Sequence, residues 1–157
     1  RLDDVTVTST AESLTIKSKD TGWFSSRDYT VTLTLPALTS LDVSGSFDAE
    51  ITGVNAKALA IDLAGSGDML ISGRCKQQTL DSAGSMDVNA KSLICQKVEI
   101  DSAGAADMYV YAAEGLNVEG AGATDVRYSG NPGKVTSDVA GLGKVIAAPT
   151  TASGTTL

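Results

Sequence analysis

The sequence predicts an all-β protein: a right-handed parallel β-helix (β-solenoid) of about six coils, each roughly 19 residues long, with an antiparallel N-terminal hairpin cap. Three observations support this fold class. A short motif recurs along the chain at a nearly constant interval, which is typical of stacked repeats. The residues around each motif alternate between apolar and polar, as in half-buried strands. Aromatic residues make up 4% of the 157 residues while 16 are glycine, which suits a thin core of aliphatic side chains.

The motif reads acid, any residue, a small residue, glycine, two residues and then, in five of six copies, aspartate. The copies are DVSGSFD from Asp42, DLAGSGD from Asp62, DSAGSMD from Asp81, DSAGAAD from Asp101, EGAGATD from Glu119 and the divergent DVAGLGK from Asp138. A phosphate-binding glycine loop occurs once and opens a helix, so the repetition argues against that interpretation. The motif instead predicts a glycine corner in each repeat.

Each repeat is predicted to contain a strand that ends near the first acid and a strand that leaves the second aspartate. Inward positions are assigned to the residue before the first acid, such as Leu41 and Ile61, and to the residue after the second aspartate, such as Met69. The small residue before each glycine, such as Ala64, is also assigned inward. Nineteen residues leave no room for a crossover helix, so equivalent strands pair in parallel, and the crossover rule predicts a right-handed winding.

The chain is predicted to form a single domain over residues 1–157, with a cap at 1–37, coils at 38–148 and a polar tail at 149–157. The alternating segments VTVTSTAESLTIKSKD and DYTVTLTLPAL are expected to pair as an antiparallel hairpin joined through residues 21–26. Such a hairpin would cover unpaired backbone groups at the open end of the stack.

The segments LPALTSLDVSGSFDAEITG, AGSGDMLISG, AGSMDVNA and AGATDVRYSG resemble the bacterial family named putative auto-transporter adhesin, head GIN domain. The resemblance covers nearly the whole chain, to about Ala148. It implies a right-handed parallel β-helix exported from a Gram-negative cell, often of Bacteroidetes type, to the periplasm, the outer-membrane surface or the medium. Members usually carry more sequence before the position of Arg1, so the resemblance implies an incomplete cap.

Composition narrows the function. A net charge of −7 disfavours nucleic acid as a partner, and the absence of histidine removes the commonest general base and metal ligand. The sequence contains no run of 18 apolar residues, so it predicts no transmembrane helix. Together with these exclusions, the resemblance implies a non-enzymatic, exported structural or binding module of the cell envelope, an adhesin that meets a cell-surface glycan or protein. The alternatives are a carbohydrate-active β-helix that binds or cleaves polysaccharide, and a self-associating envelope scaffold.

The second aspartates of the motif are predicted to stack about 4.8 Å apart as one acidic column. They are Asp48, Asp68, Asp87, Asp107 and Asp125. Because like charges at this spacing repel one another, something must offset the repulsion. Hydrogen bonds from corner amides to the carboxylates are the favoured explanation. Bound calcium is the weaker one, and we expect no other cofactor.

Five further residues are candidates for special roles. Cys75 and Cys95 each lie six residues before a first acid, so they should be neighbours in adjacent coils, close enough for a disulfide. The alternative is two free thiols in the core. Trp23 and Phe24 could contact a partner, although rings in such a turn more often plug the end of a stack. Tyr109 falls on an outward position and is a candidate surface contact.

Overall fold

The computed structural model of the chain describes residues 5–9, 13–18, 30–34 and 38–148, the first three ranges through their backbone. The strands are β1 (Val5–Ser9), β2 (Ser13–Ser18), β3 (Thr30–Thr34), β4 (Ser40–Ser129), β5 (Lys134–Gly141) and β6 (Lys144–Ala147). The described ranges contain no helix. The all-β prediction is therefore confirmed, while the predicted tail at 149–157 lies outside the described residues.

The long element β4 is one continuous hydrogen-bonded run that passes through five copies of the motif. It pairs in parallel with β5 and β6 at a constant offset of 19 residues, as in Leu116↔Val135 and Val126↔Val145. Offsets of 19 and 20 residues link the corner glycines. A Cβ built on Gly84 would collide with the carbonyl oxygen of Gly65, and one on Gly65 would collide with that of Gly45. Equivalent residues of successive repeats are therefore in direct contact.

The N-terminal pairing differs from the predicted hairpin. The antiparallel partners are β1 and β2, in the register Val5↔Ser18 to Ser9↔Leu14. Strand β2 also pairs in parallel with β4 (Leu14↔Leu41), and β3 pairs in parallel with β4 (Thr30↔Asp48). The predicted pairing of the two alternating segments is therefore wrong. The first segment is long enough to fold back on itself. The pairing of β2 and of β3 with β4 satisfies the backbone groups that the first repeat would otherwise expose.

The core follows the alternation of β4, with one correction. The residue before the first acid is buried in five repeats, and so is the residue after the second aspartate. The small residues assigned inward, such as Ala64 and Ala83, are exposed instead. Strict alternation continues through the acid, so the residue directly after it points inward, as Val43 and Leu63 do. The small residue consequently lies on the outer side of the corner.

Space at the corners is shared between successive repeats. The residue before the second aspartate is buried in four of the six repeats, and its size varies. Gly67 holds this position one repeat after Phe47, and a Cβ on Gly67 would collide with the carbonyl oxygen of Phe47 and lie 2.9 Å from Cδ2 of its ring. The missing side chain therefore makes room for the ring, which keeps the corner packed at the density that protein interiors require.

Some of the polar groups buried inside the stack are hydrogen-bonded, and others are not. The hydroxyls of Ser82 and Thr124 both donate to Ser102 Oγ, at 3.0 and 3.2 Å, which forms a buried chain across three repeats. Gln78 is fully buried, and both polar atoms of its amide lack a partner. The equivalent positions of the neighbouring repeats hold Leu59 and Val98. Since an unsatisfied buried amide is costly, Gln78 is a weak point of the core.

We expect Gly84→Ala to destabilise the fold by about 3 kcal/mol or more. The added Cβ meets the carbonyl oxygen of Gly65, and the backbone has a φ of 120°, which L side chains rarely adopt. Urea unfolding followed by circular dichroism measures the change. The control is Gly115→Ala, where the nearest atom to an added Cβ would be the carbonyl oxygen of Lys134, at 3.9 Å. Equal stability losses in both variants would contradict the corner contact.

Candidate functional site

A shallow groove of about 620 Å³ runs across the sheet face that follows the corners. Its walls are formed by two parallel columns of side chains. One column is the predicted acidic column, and the other lies two residues further along each strand. The second column consists of Glu50, Leu70, Asn89, Tyr109 and Arg127. We call the whole feature the groove.

The alternation of β4 brings these side chains together. Met69, Val88 and Met108 point into the core and are buried, so the residues on either side of each point outward on the same face. Parallel stacking then sets equivalent residues about 4.8 Å apart from repeat to repeat. The groove therefore runs along the stack and across the strands.

All five predicted aspartates line the groove, but they do not make the expected hydrogen bonds. The backbone N–H of Lys144 donates to Asp125 Oδ1 at 3.1 Å, and Lys144 belongs to the next repeat rather than to the corner of Asp125. Within residues 38–148, the other four aspartates of the column accept no hydrogen bond from a corner amide. In the same range, no group of three or more carboxylates or thiols lies close enough to hold a metal ion.

The second column carries residues that sequence reasoning mostly passed over. Tyr109, a predicted contact, is half-buried in the groove, and Lys91 Nζ lies 5.9 Å from the centre of its ring. Leu70 is 42% exposed and was not singled out, nor was Arg127. The sequence did contain a signal for these residues. This column varies in residue type from repeat to repeat, whereas the neighbouring columns keep one type. Trp23 and Phe24 lie outside the described residues.

Cys75 and Cys95 are placed away from the groove. The structure joins them in a disulfide with their Cα atoms 4.6 Å apart, and both residues are buried. The bond links equivalent positions of two adjacent repeats. Its contribution is therefore to hold the stack together rather than to form part of the groove.

The first acids of the motif form a second column on the other side of the corners. Loss of surrounding water raises the pKa of the Asp81 carboxyl above the usual value for aspartate, and the charges of Asp62 and Asp101 raise this pKa further. A hydrogen bond with Asp62 adds to the effect. The stack therefore forces like charges together on this side, at a cost to the folded state when all of them are ionised.

Comparisons with known proteins agree with the repeat motif. The chain matches the family described as "Putative auto-transporter adhesin, head GIN domain" over residues 1–132. The chain belongs to this family. The crystal structure of a putative adhesin from Bacteroides fragilis NCTC 9343 is similar to it, with a TM-score of 0.72 and 19% sequence identity. The similarity covers 94% of this chain and 78% of that one, and at this identity it shows a shared fold.

A search of the curated proteins finds no match. Among the described residues of this adhesin-family chain, no helix is long and apolar enough to span a membrane.

We expect Asp81→Asn to stabilise the protein near neutral pH by about 0.2 to 1 kcal/mol, because it removes a carboxylate set between like charges. A carboxyl whose pKa is raised in the folded state binds its proton more tightly there than in the unfolded state. Its ionisation therefore costs stability as the pH rises through the unfolded value, about 3.9, towards the folded one. The gain should be full near neutral pH and should vanish at about pH 3.

Thermal unfolding of both proteins at the two pH values measures this difference. Glu114→Gln is the control, because it removes one negative charge at an exposed position away from the column. A gain that persists at about pH 3, or one that the control reproduces, would show that repulsion at Asp81 is not its source.

Proposed function

We propose that the protein is a non-enzymatic, surface-exposed binding module of the bacterial envelope, and that the groove contacts its partner. The groove carries this proposal. It extends along five repeats, and its second column holds solvent-accessible apolar, aromatic and charged side chains that the stack itself does not require. Membership of an adhesin family points in the same direction.

We further propose that the chain winds as a right-handed β-helix of six coils over residues 38–148. The parallel offset of 19 residues and the contacts between successive corner glycines support this winding. In such a helix the groove is a rigid surface, because every lining side chain stands on a strand that is paired to its neighbours.

A binding role is favoured over catalysis by the way the charged groups are distributed. The chain has no histidine, and the acids of the groove recur evenly, one in each of five repeats. A glycosidase needs one pair of carboxyl groups set apart by position and environment, and no pair in the groove is distinguished in this way. The carbohydrate-active alternative therefore reduces to glycan binding without cleavage.

Export is favoured by the disulfide. Bonds such as Cys75–Cys95 form and persist in oxidising compartments, which include the periplasm and the cell surface. The similar protein from Bacteroides fragilis is named a putative adhesin, which agrees with a location outside the cytoplasm. The periplasm, the outer-membrane surface and the medium all satisfy this condition.

The double variant Leu70→Ser/Tyr109→Ser tests the role of the groove. We expect it to bind a glycan array and bacterial or host-cell surfaces at least about fivefold more weakly, because exposed apolar and aromatic anchors carry much of the binding energy at interfaces. Ile94→Ser is the matched control, since Ile94 is also 42% exposed but does not line the groove.

Protein-coated beads and the array provide the measurement, and a polysaccharide hydrolysis screen of the unmodified protein runs beside them. Unchanged binding by the double variant would exclude the groove as the contact surface. Release of sugars in the screen would restore the enzymatic alternative.

Self-association is a second candidate, favoured by the last repeat. Leu142 is 87% exposed, and Val135 and Ile146 are each at least 40% exposed. Within the described residues, β5 and β6 each pair with β4 on one side and with no strand on the other. Apolar side chains beside unpaired strand edges are a template for a second chain.

If this end joins two copies, the mass measured by analytical ultracentrifugation should rise from monomer to dimer with concentration. Leu142→Lys should shift the transition to at least about tenfold higher concentration, because it places a charge on the apolar end. Leu70→Lys, on the groove, is the control. A monomer at all concentrations would remove this candidate.

A further inference from the structure

We propose that two copies of the chain join through their last repeats as a closed, symmetric dimer, in which β5 of one copy pairs antiparallel with β5 of the other. This inference rests on the self-association proposed above as a second function, and it specifies the strand, the direction and the register of the contact. Three features of the molecule support it: an open apolar end, a mismatched opposite end and a self-complementary pair of charges.

The last repeat is the open end of the stack. Within the described residues, β5 and β6 each have a paired strand on one side only. Three of the five large hydrophobic side chains exposed in residues 38–148 belong to this repeat, namely Val135, Leu142 and Ile146. The repeat also carries two lysines and one aspartate, in a chain whose net charge is −7. Two such ends can therefore approach with less repulsion than two acidic faces, and each strand edge would satisfy the backbone groups of the other.

The first strands do not offer a matching end for a filament. A filament would continue β5 of one copy onto β2 of the next, and β6 onto β3, because these strands pair with equivalent segments of β4. The free side of β2 is covered by the antiparallel strand β1, whereas no strand in the described ranges covers β3. The two surfaces therefore end one strand spacing apart, about 4.8 Å, and a single copy cannot pair with both. Contact between two last repeats avoids this mismatch.

The charges of β5 favour antiparallel pairing and select its register. Lys134 and Asp138 are the charged residues of this strand, and both are exposed. They lie on one face of the strand, opposite to the face of Val139, which packs against the core. In antiparallel pairing centred on Thr136, Lys134 of each copy lies opposite Asp138 of the other, which gives two ion pairs. Parallel pairing in register would instead set lysine beside lysine and aspartate beside aspartate.

This arrangement limits the assembly to two copies and sets the positions of the two grooves. A two-fold axis through Thr136 uses the same edge of both copies, so that edge is not left open to a third. The corner follows the C-terminal end of β5, and antiparallel pairing places these ends on opposite sides of the contact. The grooves, which follow the corners, then lie on opposite sides of the shared sheet. The dimer presents the proposed binding surface twice, which raises its avidity for a target repeated on a cell surface.

Charge substitutions test the antiparallel contact by analytical ultracentrifugation over a concentration series. The unmodified protein should reach the mass of a dimer and not exceed it. Lys134→Asp and Asp138→Lys each turn both ion pairs into repulsions, so each should raise the dissociation constant of the dimer at least about fivefold. An equimolar mixture of the two variants should dimerise at least as tightly as the unmodified protein, because every opposed pair then has opposite signs. Lys57→Asp makes the same charge change at an exposed position of the first repeat and is the control.

A cross-linking experiment tests the register. Thr136→Cys adds the one free thiol to residues 38–148, because Cys75 and Cys95 are bonded to each other. Opposed residues of an antiparallel pair have Cα atoms about 4.5 to 5.5 Å apart, which a disulfide can span, so mild oxidation should link the two copies. Ala140→Cys, on the same face of the same strand, is the matched control. Its two copies would lie about 27 Å apart and should stay unlinked.

Three results would overturn the inference: a mass that keeps rising beyond the dimer, equal dissociation constants for Lys134→Asp and the unmodified protein, or equal cross-linking of the two cysteine variants. If the unmodified protein still dimerises and Leu142→Lys still weakens the dimer, the second function holds and the proposed geometry alone is wrong. A monomer at every concentration would remove both. Thermal melting of each variant confirms that the compared proteins are folded.

Discussion

The fold depends on one steric contact, made at the corner of successive repeats. The carbonyl oxygen of one corner glycine occupies the place where a Cβ of the next would stand, as between Gly65 and Gly84. Because a side chain at this position would push the repeats apart, the backbones can approach to sheet distance at a sharp bend only if the later residue of each pair is glycine. The contact also sets the register, since any slip by one residue would bring a Cβ into the corner.

Register at the corner has consequences for every other column. It brings the hydroxyls of Ser82 and Ser102 within hydrogen-bond distance, and it places Cys75 beside Cys95. It also places Asp81 where loss of surrounding water, and then the charges of Asp62 and Asp101, raise the pKa of its carboxyl. The same constraint therefore produces favourable and unfavourable neighbours. In an in-register stack, like residues of one column are held next to one another. Each favourable or unfavourable interaction between them is therefore repeated along the column.

The sequence could predict the parts of the fold that repetition determines. The glycine period predicted which residues are neighbours, including the two cysteines, and the aliphatic residue before each first acid predicted the core. It was harder to predict which residues of the corner point into the core. Ala64 and Leu63 are both apolar, and only the continuation of alternation through Asp62 decides which one is buried. The parallel pairing of β2 and of β3 with β4 was also missed. Alternating polar and apolar residues suit antiparallel and parallel neighbours equally well.

The groove could be predicted in part, through its acidic column and Tyr109. Leu70 and Arg127 were missed because a column without a shared residue type resembles an ordinary solvent-exposed position. Yet this variety follows from the stack itself. Inward columns must fill the core, and the corner must be glycine, so these positions have little freedom to change. Outward positions of a paired strand are free of both constraints and are held rigidly on a common face. A protein of this architecture can therefore acquire a binding surface by altering one column, without disturbing the contacts that maintain the fold.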